Sequence, residues 1–171
     1  MIREGNATDM PAILAIYNDA IINTTAVFTY DPFSSGYARD WYAHKVQGNW
    51  PLLVDVEDGT VAGFATFGTF RDWPAYKYTI EHSIYVHPDF RNRGIATRLM
   101  KQLITIADER HYATIVAGIN SENEGSIVLH NKLGFRKVGE IKRAGYKFDH
   151  WLDLSFYQLD LEGPACPVGG E

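Results

Sequence analysis

The stretch VHPDFRNRGIATRLM, Val86 to Met100, joins a strand-like run to a helical one across two arginines and a glycine. The extended run stops at Pro88. From Gly94 to Arg110 the apolar residues recur at helical spacing, with Ile95, Leu99, Leu103, Ile106 and Ala107 on one face. Glycine permits a tight turn and lets a ligand approach the backbone, and the first N–H groups of a helix have no intrahelical partner. Such a start, flanked by cationic side chains, is built to hold an anion, and phosphate suits it well. The letters rule against two common phosphate loops. No Lys-Ser or Lys-Thr pair follows the glycine, and the first two glycines of a dinucleotide fingerprint are missing.

Outward from this point the chain reads as alternating elements. ATDMPAILAIYNDAII carries Thr8 as a candidate N-cap, a proline in the first turn and a helical period through Ile13, Ile16, Tyr17 and Ala20. NTTAVFTYDPF is turn-rich and aromatic, and a second helix covers SGYARDWYAHKV. Two apolar runs in PLLVDVEDGTVAGFATFGTF hinge at Asp58-Gly59, a dipeptide favoured in tight hairpins. YTIEHSIYVHP reads as a further strand and ATIVAGIN as a buried one. SENEGSIVLHNKLG is a helix ending at Gly134, and FRKVGEIKRA and HWLDLSFYQLDLE close the chain as two strands. The mixed order predicts an α/β (α+β) domain over residues 1–162 and a flexible tail over 163–171.

At 171 residues, 46% of them hydrophobic, the chain suits one domain with a substantial core. Its formal charge of −5 argues against a general nucleic-acid binder, so any phosphate site is local. The single cysteine, Cys166, lies in the Pro/Gly-rich end and excludes an internal disulfide or a cysteine-based zinc site. His44, His82, His87, His111 and His150 lack a mutual spacing that implies a metal. No run approaches the roughly 18 apolar residues of a membrane span, and a cytoplasmic protein is expected.

Arg91-Asn92-Arg93-Gly94-Ile95-Ala96 resembles the Arg/Gln-x-x-Gly-x-Gly/Ala loop with which the GCN5-related N-acetyltransferases grip the pyrophosphate of coenzyme A. NSENEGSIVLHNKLGFRKVG is similar to that family's second cofactor motif, and the resemblance runs from Ile2 to about Leu161. IYNDAIINTTAVF, TIEHSIYVHP, SIVLHNKLGF and GYKFDHWLDLSFYQLDL look like the branch that acetylates the α-amine of phosphinothricin, methionine sulfoximine and methionine sulfone. The resemblance implies a single-domain fold with a central mixed sheet of about seven strands, acetyl-CoA as cofactor, a small amino-acid-like amine as substrate and a homodimer. Cofactor contacts are implied at Ile84, Tyr85 and Val86, at Arg91, Asn92, Arg93, Gly94, Ile95, Ala96 and Thr97, and at Asn123, Ser126 and Lys132. Ala96 stands where many members have glycine, which leaves the loop more crowded.

An ammonium is no nucleophile until it loses a proton, so the site needs a base. Glu81 is the candidate. Strand alternation sets it with Ser83 opposite His82 and Ile84, in an apolar run where burial raises a carboxyl's pKa. The family's usual proton donor to the departing thiolate is a Tyr seven residues after the motif's Asn. His130 holds that place after Asn123, and a histidine can donate near pH 7. The resemblance sets the substrate against Arg71, Asp72 and Trp73 and against Glu81, His82 and Ser83, with Asn23, Thr24 and Phe28 completing the pocket. An arginine there suits a carboxylate, because its fork bonds both oxygens. Tyr76, Tyr78, Trp151 and Phe156 read as core or dimer contacts. A different amine (polyamine, aminoglycoside or protein N-terminus) and a non-catalytic acyl-CoA sensor on the same fold remain open.

Overall fold

In the computed structural model, residues 1–169 are described, and they form one seven-stranded sheet in the order β1-β2-β3-β4-β5-β7-β6. The strands are β1 (Ile2–Glu4), β2 (Leu52–Glu57), β3 (Thr60–Thr69), β4 (Thr79–Val86), β5 (Thr114–Asn120), β6 (Arg136–Lys147) and β7 (His150–Asp160). The helices are α1 (Met10–Asn23), α2 (Ser35–Gln47), α3 (Ile95–Glu109) and α4 (Glu124–Lys132). The last two residues of the expected tail lie outside the described residues. Within it, the Val168 N–H donates to Tyr78 Oη at 3.0 Å.

Local chemistry accounts for most boundaries. Asp58 and Gly59 take φ of 49° and 76°, the left-handed pair that a two-residue hairpin requires, and turn β2 onto β3. The capping role expected of Thr8 falls to Asn6, whose side chain accepts from the Thr8 N–H at 2.9 Å while Asp9 reaches back to the Asn6 N–H at 2.9 Å. That reciprocal arrangement caps a 3-10 turn leading into α1. β1 is an addition to the elements read from the sequence. Its three residues are too few for a period, and it forms because β2 offers it an edge.

Alternation along the central strands divides the core in two. Leu52, Val54 and Phe64 face α1 and α2, and Leu53, Ala65, Phe67 and Ile80 face α3. Every join in the sheet is antiparallel except that of β4 with β5, which is parallel and short: Thr79, Ile80 and Glu81 pair with Thr114, Ile115 and Val116, and there the register ends. β4 continues to Val86 and β5 to Asn120, so the two strands part beyond Glu81 and leave an opening through the middle of the sheet.

Candidate active site

Two cavities meet at that opening. The first, about 370 Å³, lies along β4 and the start of α3, lined by Ile84, Tyr85, Val86, Phe90, Arg91, Asn92 and Gly94 through Thr97, with Asn123, Gly125, Ser126 and Leu129 opposite. The second, about 210 Å³, occupies the gap itself, between Glu81 through Tyr85 on β4 and Ala117 through Asn120 on β5, with Asn123, Ser126 and His130 at the α4 side. Ala26, Ile84, Tyr85, Asn123 and Ser126 line both.

The α3 start is an anion cradle by backbone conformation. Asn92 and Gly94 have φ of 62° and 75°, and Gly94 is the N-cap of α3 with no side-chain cap bond, so the N–H groups that open the helix stay available. Arg98 braces the cradle. It donates to Asp55 Oδ2 from Nε at 3.0 Å and from Nη2 at 2.7 Å, to Glu57 at 2.6 Å and to the Arg93 carbonyl at 3.0 Å. Asp55 is fully buried, so the loop is tied to the inside of the sheet. Along β4, the bond from the His87 N–H to the Ala62 carbonyl at 2.9 Å assigns odd-numbered residues to β3. By alternation Ile84 and Val86 turn their main-chain groups toward the gap, where β5 no longer pairs.

Glu81 stands where the gap begins. Burial raises its pKa, and the Arg71 guanidinium, 3.9 Å away, opposes that rise. A carboxyl so placed is a stronger base than an exposed one. Gly118 on β5 makes room for it, since a Cβ there would lie 3.3 Å from Glu81 Oε1.

His82 and His130 face the other side of β4 and bond to each other, Nε2 to Nε2 at 2.9 Å. His130 Nδ1 lies 2.7 Å from the Ser126 carbonyl, which can only accept, so Nδ1 carries the proton and Nε2 accepts from His82. Burial lowers the pKa of both, His82 to about 3. Both rings are neutral, and neither proton of the pair points into the cavity. The proton-donor role expected of His130 would need Nε2 to be released from His82.

Other expected site residues are dispersed. Arg71 lies over the Phe70 ring and borders a separate groove of about 470 Å³ between Tyr76 and Ile141. Trp73 is exposed, and Asp72 accepts from Thr69 Oγ1 at 3.5 Å. Asn23 bonds Asp19, Thr24 bonds the Ala20 carbonyl and Phe28 packs against Gly145, so none of the three lines either cavity. Arg91 pairs with Asp19 at 3.2 Å beside the cradle, Arg93 covers the Phe90 ring, and Lys132 is exposed and lines neither cavity. Sequence reasoning missed the small and apolar wall residues Ala26, Phe90, Ala117, Gly118, Ile119, Gly125 and Leu129, and the polar Asn120. Small and apolar residues carry no chemical signal of their own, and only the parting of the strands makes them a wall.

The sequence profile of the acetyltransferase (GNAT) family matches residues 13–135. An L-methionine sulfoximine/L-methionine sulfone acetyltransferase of Salmonella typhimurium is 39% identical over 166 residues, 97% of each chain. The crystal structure of an N-acetyltransferase from Staphylococcus aureus Mu50 is 54% identical and superposes with a TM-score of 0.94, over 95% of this chain and 98% of that one. An acetyltransferase from Salmonella typhimurium solved with its cofactor acetyl-CoA is 38% identical, with a TM-score of 0.95 over 99% and 98% of the two chains. Among the described residues no helix is long and apolar enough to cross a membrane.

Proposed function

Because this chain belongs to the acetyltransferase (GNAT) family, we propose that it transfers an acetyl group from acetyl-CoA to the α-amine of small amino-acid-like molecules such as methionine sulfone, methionine sulfoximine or phosphinothricin. The relatives include phosphinothricin N-acetyltransferases. The observation that carries the proposal is the continuity of the two cavities, one with an anion cradle at its far end and the other with a carboxyl of raised pKa at its wall.

The residues fit the proposed donor. The N–H groups at the start of α3 and the Arg91 guanidinium suit its pyrophosphate, and the gap-facing main chain of Ile84 and Val86 suits its amide-bearing arm. When bound, the donor supplies an activated acyl carbon. The chain's own residues then serve direct transfer. Glu81 accepts one proton from the substrate ammonium. The amine nitrogen forms a bond to the acyl carbon as the carbon–sulfur bond breaks, and the second amine proton leaves with the thiol. A main-chain N–H near Val86 meets the charge developing on the carbonyl oxygen, a kind of contact that contributes a few kcal/mol. We assign the substrate carboxylate to Arg71, which borders the neighbouring groove and reaches to 3.9 Å from Glu81. We assign His130 to holding His82 in the wall, since both nitrogens of its ring are engaged.

The test is release of thiol from acetyl-CoA by the purified protein in the presence of methionine sulfone. In Glu81→Gln, kcat/KM at neutral pH falls by about 10²–10⁴-fold, the usual contribution of a general base. Part of the activity returns as pH rises and the free amine grows, while acetyl-CoA binding holds. An equal loss at every pH would mean that Glu81 only positions the substrate. We further propose a cytoplasmic homodimer, for which the exposed apolar side chains Val138 and Ile141 on one face of the β6–β7 hairpin offer a contact.

A further inference from the structure

Lys147, at the end of β6, is 5% exposed, and no carboxylate accounts for its burial. Its ammonium donates to three carbonyls, those of Ile21, Thr24 at 2.8 Å and Val27 at 3.0 Å. An ammonium has three donors and no acceptor, so the match is complete. The Ile21 carbonyl belongs to the open C-terminal end of α1, where a cation is favoured. The other two lie beyond the helix and bracket Thr25 and Ala26.

Of those two residues Ala26 lines the cleft and Thr25 ties it to the end of β5. Thr25 Oγ1 accepts from Asn120 Nδ2. Ala26 is the residue of the α1–α2 loop that lines the cavities, and it lines both. If the cofactor arm lies along β4 and the amine beside Glu81, the group in transit sits where the cavities join. Its chain then points at a wall that includes the Ala26 methyl.

We propose that Lys147 is a positioning residue that holds the Thr24–Val27 turn so that Ala26 limits the length of the acyl group the cleft accepts. The inference rests on the acetyltransfer reading above. The clamp joins two distant parts of the chain, because the turn has no helix or strand of its own and takes its place from the β6–β7 hairpin. Tyr30 Oη, which donates to the Tyr146 carbonyl at 2.8 Å, adds a second tie to that hairpin. Without the ammonium the three carbonyls lose a shared partner, and the turn no longer holds one position over the cleft.

The experiment measures kcat/KM for acetyl-, propionyl- and butyryl-CoA at saturating methionine sulfone, and the dissociation constant of each thioester by titration calorimetry, which needs no turnover. The wild-type protein favours acetyl over butyryl in both measures. Lys147→Met keeps the stem and removes the ammonium, and it lowers the acetyl-to-butyryl ratio by about tenfold, roughly 1.4 kcal/mol of discrimination. Ala26→Gly leaves the clamp intact and moves the ratio the same way, and Ala26→Val moves it the opposite way. A folded Lys147→Met with a lower Tm and a ratio within twofold of wild type would make Lys147 a structural residue and overturn the proposal. If Lys147→Met does not fold, an unmoved ratio in both Ala26 variants overturns it, and opposite shifts in the two sustain it. A wild-type protein that binds the thioesters but transfers to no amine defeats the reading of function alone, and the binding ratios still decide the role of Lys147.

Discussion

His82 and His130 are neutral in the fold because burial makes the charged form costly, and each proton they carry is spent on a bond within the protein. On unfolding, both return to an ordinary value of about 6.5. Below that pH the unfolded chain binds more protons than the folded one, so stability rises with pH across this window. The pair's contribution is complete above about pH 6.5 and is lost as pH falls toward the folded value of about 3 for His82. The slope approaches roughly 1.4 kcal/mol per pH unit for His82, and His130 adds to it in the same direction. Urea midpoints between pH 7 and 4 check this, with the double variant His82→Phe, His130→Leu expected to be flatter than wild type by one to two protons. An unchanged slope would mean that the rings charge within the fold. If His130 were instead the proton donor, His130→Phe would lower kcat without altering Tm. The bonds observed lead to the reverse, a fall in Tm with kcat nearly kept.

At the scale of elements, the start of α3 combines a backbone requirement with a charge requirement, and two substitutions separate them. Gly94 has φ 75°, and a Cβ there would meet nothing closer than Arg98 Nη1 at 3.7 Å, so a side chain has room but the conformation is unfavourable. Gly94→Ala therefore lowers stability by about 1–2 kcal/mol, the cost of a left-handed conformation for an L residue, and leaves acetyl-CoA binding largely intact. Gly94→Glu adds a carboxylate where the proposed site would receive the pyrophosphate. Acetyl-CoA at 100 times its Kd stabilises the wild-type fold by about 2.7 kcal/mol. Thermal melts with and without the cofactor should show that gain in wild type and Gly94→Ala and none in Gly94→Glu. A full gain in Gly94→Glu would remove the loop from the cofactor site. The same element depends on Arg98, which ties it to Asp55 and Glu57 on β2.

Across the whole molecule, the site exists because a sheet covered on both faces is interrupted at one join. β4 and β5 share three register pairs, and past them the wall of one strand faces the wall of the other with substrate-sized space between. Gly118 belongs to that space. An added methyl would lie 3.3 Å from Glu81 Oε1 and 3.4 Å from Leu154 Cδ1, tighter against the carboxylate than against the core. Gly118→Ala should thus displace the carboxylate by a few tenths of an ångström and lower kcat about tenfold, with Tm and acetyl-CoA affinity close to wild type. Steady-state kinetics beside a thermal melt separate the two effects. Wild-type kcat in this variant would mean that the Glu81 carboxylate is free to adjust.

Features that depend on neighbours along the chain could be read directly from the residues. The Asp58-Gly59 hairpin, the α3 helix with its glycine start, the breaks at Pro88 and Gly134 and the face of β4 that carries Glu81 all follow from spacings of four residues or fewer, where backbone sterics and side-chain periodicity act. The anion cradle was legible for the same reason. The remaining features arise from long-range packing. The parting of β4 from β5 depends on where two strands separated by α3 stop pairing, and alternation within either strand carries no trace of it. His82 meets His130 at a separation of 48 positions along the chain, and Lys147 meets Thr24 at a separation of 123. Such contacts form when packing brings distant segments together, and burial then sets what the side chains bond to: a helix histidine meets a strand histidine, and a strand lysine meets three carbonyls around a distant turn.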